Sequence, residues 1–424
     1  MTIATGMPTS DARRKLAYKP DMRTEPADLQ LWKRAAGPES RDLIRALAES
    51  DVGNAAALDK LRRHWDPPLI ATAIELVNAR RKASKKFPDH SRLVADVAGV
   101  EQATSHLVAQ HKARRFAQRL EHANSPPVID LCCGIGGDAM ALAAVTELAA
   151  VDLDPVRAWM TGCNARCPSL HADVRQLQLH RQCFHIDPDR RAKRLTGHTR
   201  RLWRYQDYQP GPAFISALLS QCPDGAVKLG PGIDFRSLPT EGRREIEIIN
   251  ENGTLVQAVL WCGALADQPG TRTATRLPQG LRFSATPQPL TQQPTGRFHR
   301  YALLLDPAIE RAQLVGALCN PLPVRPVHPG LGILTSDEPI ENSWLRVYAV
   351  EAQMPWRIKK IKQWLHANHA GIVDVKTRGR AVDPDTLQRD LRGDGHQPFT
   401  VFGLRIGRKL TALIAPSPDV TTRP

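Results

Sequence analysis

The spacing of apolar and polar positions changes along the chain, and the changes mark out its parts. Between residues 25 and 124 apolar side chains recur at helix-like intervals: Leu29, Leu31 and Trp32, then Leu43, Ile44 and Leu47, then Leu58 and Leu61, then Ile74, Leu76 and Val77. A helical domain is predicted there. From 125 to 265 short apolar runs alternate with helical ones. Strands are predicted at 128–131, 148–153, 183–186 and 226–229, and helices at 139–145 and 155–166. That alternation predicts a parallel, doubly wound α/β sheet, with ligands at the carboxyl ends of its strands. The period then drops to two in Glu245-Ile246-Glu247-Ile248, and Asn252-Gly253 predicts a tight hairpin into a strand over 254–261.

Residues 1–24 are polar and aperiodic and read as a flexible tail. Residues 266–330 are rich in Pro and Gln and read as a connector, with strands near 272–283 and 301–305. Residues 331–416 read as a small α+β domain in the order β-α-β-α-β-β, with a basic helix over 356–368.

Charge adds a partner. The chain has 58 Lys and Arg against 43 Asp and Glu, a net charge of +15. Such an excess favours a polyanion, nucleic acid first, over a merely basic surface. Two helical patches, Arg80-Arg81-Lys82 with Lys85-Lys86, and Lys112, Arg114, Arg115 and Arg119, each read as a solvated helix face. The eight cysteines form no C-x-x-C pair, so no metal is expected and the thiols read as small core residues of a cytoplasmic protein. No apolar run approaches the roughly 18 residues of a membrane span, and the first ten residues carry no secretory pattern.

The chemistry centres on Val128-Ile129-Asp130-Leu131-Cys132-Cys133-Gly134-Ile135-Gly136-Gly137-Asp138. A strand ending in a carboxylate runs into a glycine-rich turn, and Asp152 and Asp154 close the next strand. Glycines admit a ligand to the backbone, and an acid at the second strand end can grip ribose hydroxyls. Gly134-x-Gly136-x-x-Ala139 also satisfies a dinucleotide fingerprint. Asp130 separates the two readings. It would repel a pyrophosphate, whereas the ammonium and sulfonium of S-adenosylmethionine welcome it.

These residues resemble a bacterial family of class I methyltransferases with a C-terminal THUMP-like domain. The resemblance covers most of the chain. It rests on Ala79-Arg80-Arg81-Lys82-Ala83, Lys86-Phe87-Pro88, Glu101-Gln102-Ala103-Thr104 and His111-Lys112-Ala113. It continues through Asp130 to Asp138, Asp152-Leu153-Asp154-Pro155, Asp187-Pro188-Asp189-Arg190-Arg191, Lys228-Leu229-Gly230-Pro231-Gly232 and Val375-Lys376-Thr377-Arg378-Gly379. It implies a Rossmann-like class I sheet finished by an antiparallel hairpin, between an N-terminal helical domain and a THUMP-like α+β domain. It implies S-adenosylmethionine as cofactor. Asp130, Cys132, Gly134 and Gly136 would hold the methionine moiety, Asp152 the ribose with Asp154 in reserve, and Asp173 the adenine amino group. Asp187 and Pro188 stand where amino-group methylases place Asp/Asn-Pro-Pro-aromatic, so Asp187 would accept a hydrogen bond from the target amine. Here the second proline and the aromatic are replaced by Asp189 and Arg190.

Past Asp187 the chain turns basic. Arg190, Arg191, Lys193, Arg194, Arg200, Arg201 and Arg204 fall within 15 residues that contain no acid. Trp203 and Tyr205 lie at its end, and cations interleaved with rings suit looped or single-stranded RNA. The expected function is methylation of a base nitrogen or amine in transfer or ribosomal RNA. A small-molecule or protein methyltransferase, an inactive RNA-binding module and a nicotinamide enzyme remain as alternatives.

Overall fold

The computed structural model describes residues 26–49, 55–119, 127–192, 200–201, 204–378 and 383–417. The predicted tail lies outside them. The chain forms two compact units, residues 1–246 with 257–270, and residues 247–256 with 271–424.

Among the described residues the first unit opens with the α-helices α1 (Ala27–Ala36), α2 (Arg41–Glu49), α3 (Ala55–Leu61), α4 (Pro67–Ala83), α5 (Val97–Gln102) and α6 (His106–Arg119). Leu43, Leu47, Leu69, Ala73 and Val77 bury the apolar faces of α2 and α4 together. Ala79, Phe87 and Val100 pack with Ile135 and Met160, so the helices share a core with the glycine-rich turn.

The sheet that follows has strands β1 (Val128–Leu131), β2 (Leu148–Asp152), β3 (Ser169–His171), β4 (Cys183–Ile186), β5 (Gly225–Leu229), β6 (Arg244–Glu251) and β7 (Thr254–Cys262). β3, β2, β1, β4 and β5 are parallel neighbours in that order, and β7 pairs antiparallel with β5. Helices α7 (Ala139–Ala143), α8 (Pro155–Ala165) and α9 (Pro212–Gln221) connect the strands. β1, β4 and β5 are buried throughout their length, as strands covered on both faces must be. β6 and β7 form the expected hairpin, with Asn252 (φ 51) and Gly253 (φ 82) in the left-handed conformation a primed turn needs. The order reverses between β1 and β4, which makes their carboxyl ends the ligand-binding crevice of a doubly wound sheet.

Neither helical basic patch is a plain solvated face. Lys112 and Arg115 are 1% and 5% exposed, and both sit on the buried stripe of α6 with Val108, Ala109 and Phe116. Arg115 is paired with Glu245 and stacks over Trp261. Lys86 Nζ donates to the carbonyls of Val100, Glu101 and Ala103 at 2.8–2.9 Å, closing the end of α5. Arg81 bonds the last carbonyls of α2. Helical periodicity places a residue on a face but does not reveal that the facing element supplies carboxylates.

In the second unit, residues 271–330 of the expected connector carry strands and helices. β8 (Arg272–Leu277) pairs with β9 (Leu281–Ala285), and β10 (Tyr301–Leu305) is followed by α10 (Pro307–Arg311) and α11 (Val315–Cys319). β10 lies between β11 (Ile333–Ser336) and β12 (Leu345–Ala349). The last strands, β13 (Ala352–Pro355), β14 (Ala370–Arg378), β15 (Gln397–Ile406) and β16 (Lys409–Pro416), order as β13-β16-β15-β14. Against them pack α12 (Ile358–Ala367) and α13 (Pro384–Leu391), through Ile361, Leu365, Leu387 and Leu391. β13 is the one strand of this group without a sequence expectation. Its alternating half-exposed pattern is that of a short edge strand. Among the described residues no helix is long and apolar enough to cross a membrane.

Candidate active site

A cleft of about 840 Å³ lies at the carboxyl ends of β1, β2, β4 and β5. After β1 the chain turns through Gly134 (φ 59) and Gly136 (φ 86). A Cβ on Gly136 would stand 3.2 Å from the Thr161 side chain, whereas one on Gly134 would meet nothing within 4 Å. The turn is thus pressed against α8 on one side and open on the other. α8 holds it there: Thr161 Oγ1 donates to the Gly134 carbonyl at 2.8 Å and Asn164 Nδ2 to that of Ile135 at 2.8 Å.

Three predicted acids line the cleft in different states. Asp152 Oδ2 accepts the Gly134 N–H at 2.8 Å and Oδ1 that of Asp154 at 3.0 Å, which fixes the carboxylate and leaves each oxygen a further lone pair. Burial raises its pKa. Asp154 caps α8, accepting from Val156 and Arg157 N–H groups. Asp173 is gripped by the Arg175 guanidinium, which holds its carboxyl below the ordinary range. Cys132 lies in the same wall with φ 58.

Beneath the cleft runs a chain of buried polar and charged groups. Asp130 and His185 are opposite each other in the β1–β4 register, with Asp130 Oδ1 2.7 Å from His185 Nδ1. His185 Nε2 is 3.1 Å from Lys112 Nζ, and Lys112 Nζ is 2.7 Å from Asp138 Oδ1. Thr104 Oγ1 donates to Asp138 Oδ2 at 2.6 Å. With Lys112 as the ammonium donor, His185 accepts at Nε2 and donates from Nδ1 to Asp130. Burial raises Asp130 and lowers Lys112. Burial would raise Asp138 too, but Lys112, His185 and Lys228 overcome it and hold the carboxyl well below the usual range. Asp130 Oδ2 is buried without a hydrogen-bond partner in the protein. A carboxyl oxygen so placed beside a cleft has acceptor capacity for a ligand N–H.

Asp187 follows β4 at the far side, where Lys228 Nζ approaches its Oδ2 to 2.6 Å. Pro188, Asp189 and Arg190 line the same wall. Tyr208 OH accepts the Gly230 N–H at 2.8 Å. The structure therefore gathers Asp130, Cys132, Gly134, Asp152, Asp154, Asp173, Asp187, Pro188 and Arg190 around one cleft, with Gly136 behind it in the turn. Arg191 lies opposite Arg201, and Ala192 opposite Arg200, in a two-residue antiparallel pairing. Lys193, Arg194 and Trp203 lie outside the described residues. Tyr205 is 3% exposed, which leaves it no face for stacking. Lys112, His185, Lys228 and Thr104 carry no role in the sequence reading. The available signal was a charged or polar residue within a strand that is otherwise apolar, as in Cys183-Phe184-His185-Ile186 and Ala226-Val227-Lys228-Leu229.

Residues 345–416 match the THUMP domain-like family. An uncharacterized S-adenosylmethionine-dependent methyltransferase of Mycobacterium tuberculosis is 32% identical over 359 residues, covering 80% of this chain and 93% of that protein. The crystal structure of a Porphyromonas gingivalis protein assigned as a methyltransferase superposes with a TM-score of 0.67 at 16% identity, over 94% of this chain and all of that one, and shows the fold. The orphaned Asp130 oxygen, the open glycine turn and the anchored Asp152 suit an ammonium, a close-lying main chain and a ribose. The chain belongs to the S-adenosylmethionine-dependent methyltransferases, with a class I α/β fold and a THUMP-like C-terminal domain.

Proposed function

We propose that this enzyme methylates a base nitrogen or amine in RNA, transfer or ribosomal. S-adenosylmethionine supplies an electrophilic methyl group when bound. In this reading Asp130 Oδ2 receives its ammonium, Cys132, Gly134 and Gly136 border the methionine moiety, and Asp152 takes the ribose hydroxyls. Asp154 supports the ribose side by holding the start of α8, and Asp173 takes the adenine amino group.

The observation that carries the substrate half is the placement of Asp187. It closes β4, is partly exposed, and shares a wall with Pro188 and Arg190, from which the basic run begins. A carboxylate there accepts the target N–H and orients the nitrogen lone pair towards the methyl carbon. Arg190, Arg191, Lys193, Arg194, Arg200 and Arg201 supply phosphate contacts. Lys359, Lys360 and Lys362 on the exposed face of α12 add a second basic surface in the THUMP-like domain. An RNA substrate agrees with the +15 net charge and with a cytoplasmic location.

Mass spectrometry of modified nucleosides tests the reading, with RNA from a strain lacking the protein compared with its parent. One methylated nucleoside should vanish and return when the gene is restored. Labelled methyl transfer to an extract that survives nuclease treatment would replace RNA by a protein or small molecule.

A further inference from the structure

We propose that the methylated atom is a lactam nitrogen, the N–H beside a ring carbonyl in guanine, hypoxanthine or uracil, and that Lys228 is a catalytic residue for that step. The proposal rests on the RNA reading above and names its substrate class.

Lys228 occupies a strand that is buried at every position, yet its side chain reaches the cleft beside Asp187. Nζ stands 2.6 Å from Asp187 Oδ2 and 4.0 Å from Asp138 Oδ2. Burial alone would lower its pKa, but the two carboxylates overcome this and raise it, so the group is an ammonium. The substrate therefore meets a carboxylate and an ammonium side by side.

Hydrogen bonding alone does not choose among bases. An adenine or cytosine edge also offers an N–H next to an acceptor. Charge does choose. An exocyclic amine that attacks a methyl group becomes positive, and an ammonium alongside opposes that. A lactam nitrogen attacks after losing its proton, and its negative charge spreads onto the neighbouring oxygen. An ammonium at that oxygen stabilises the developing charge.

The step balances with the groups present. The lactam N–H proton passes to Asp187, and its electron pair stays on the ring. Lys228 donates a hydrogen bond to the ring oxygen. The nitrogen pair forms the N–CH3 bond while the C–S bond breaks, and its electrons leave with sulfur as a neutral thioether. Asp187, 35% exposed, then releases its proton to solvent.

The test uses the full-length protein, S-adenosylmethionine and total RNA from a strain lacking the gene, with digestion to nucleosides and mass spectrometry. The expected product is 1-methylguanosine, 1-methylinosine or 3-methyluridine. N6-methyladenosine, N4-methylcytidine, N2-methylguanosine or a carbon-methylated base would overturn the lactam assignment and leave the RNA reading standing. If no RNA takes up methyl, the RNA reading fails and this proposal with it. Lys228→Met should lower kcat by about a hundredfold with KM little changed, and the deficit should shrink as pH rises towards lactam ionisation. Lys228→Arg should restore most of the rate. Calorimetry with S-adenosylhomocysteine should find both variants folded with parental affinity. A loss of rate that is the same at every pH would make Lys228 a structural residue.

Discussion

Asp130 and His185 face each other in register across β1 and β4, Oδ1 to Nδ1 at 2.7 Å, each side chain 1% exposed. The contact joins the first strand's carboxylate to Lys112 of α6, and so ties the N-terminal helices to the cleft. Burial raises the Asp130 pKa and His185 opposes the rise. His185→Leu should push it further up. Donor binding that needs the carboxylate should then weaken at neutral pH and recover as pH rises. Calorimetric titrations from mildly acidic to mildly alkaline pH check this, and a weakening that does not vary with pH would break the link.

Asp130→Ala removes the oxygen assigned to the donor ammonium. Charge-assisted hydrogen bonds contribute about 1.5–3 kcal/mol, so donor Kd should rise by roughly 10- to 100-fold. RNA affinity in a gel-shift assay should stay near the parental value. Unchanged donor Kd would remove Asp130 from the donor site.

Asp138 gathers Thr104 and Lys112 directly, with Lys228 at 4.0 Å. Asp138→Asn strands the buried Lys112 charge and should cost about 3–5 kcal/mol in urea unfolding. Adding Lys112→Met should recover part of that loss, because the two residues couple. The sign with pH follows from the depressed Asp138 pKa. Its carboxylate stabilises the fold above the unfolded value of about 3.9, and the contribution drains away as pH falls below that. The Asn variant should lack this share of the acid destabilisation.

Arg190, Arg191 and Arg194 are three cations of the run that starts at the cleft wall. Their joint replacement by Ala should weaken RNA binding and reduce the slope of log K against log salt. At about 0.7 per phosphate contact on a single strand, three lost contacts remove roughly two units. An unaltered slope, measured by fluorescence titration across salt, would return the run to ordinary surface charge.

The strands of the parallel sheet were legible because each is a short run of apolar residues bounded by turn signals. β1 and β4 keep their predicted limits, and β2 and β5 differ by one residue each. The Asn252-Gly253 turn was legible because few residues adopt positive φ in succession. β8, β9 and the α10–α11 pair stood out less. Their prolines mark helix starts such as Pro307 at the first position of α10, which in composition look like a linker. Trp203 and Tyr205 alternated with cations in the text, yet Tyr205 is packed near Tyr208 in the interior.

The sequence by itself determined the α/β order, the glycine turn and the carboxylates at strand ends, since these depend on spacing along the backbone. Only the tertiary structure decided that Lys112, His185, Asp138 and Lys228 form one buried polar network. They lie on α6, β4, the glycine turn and β5, far apart in the chain. A charge can be kept out of water only where packing brings its counter-charge to it.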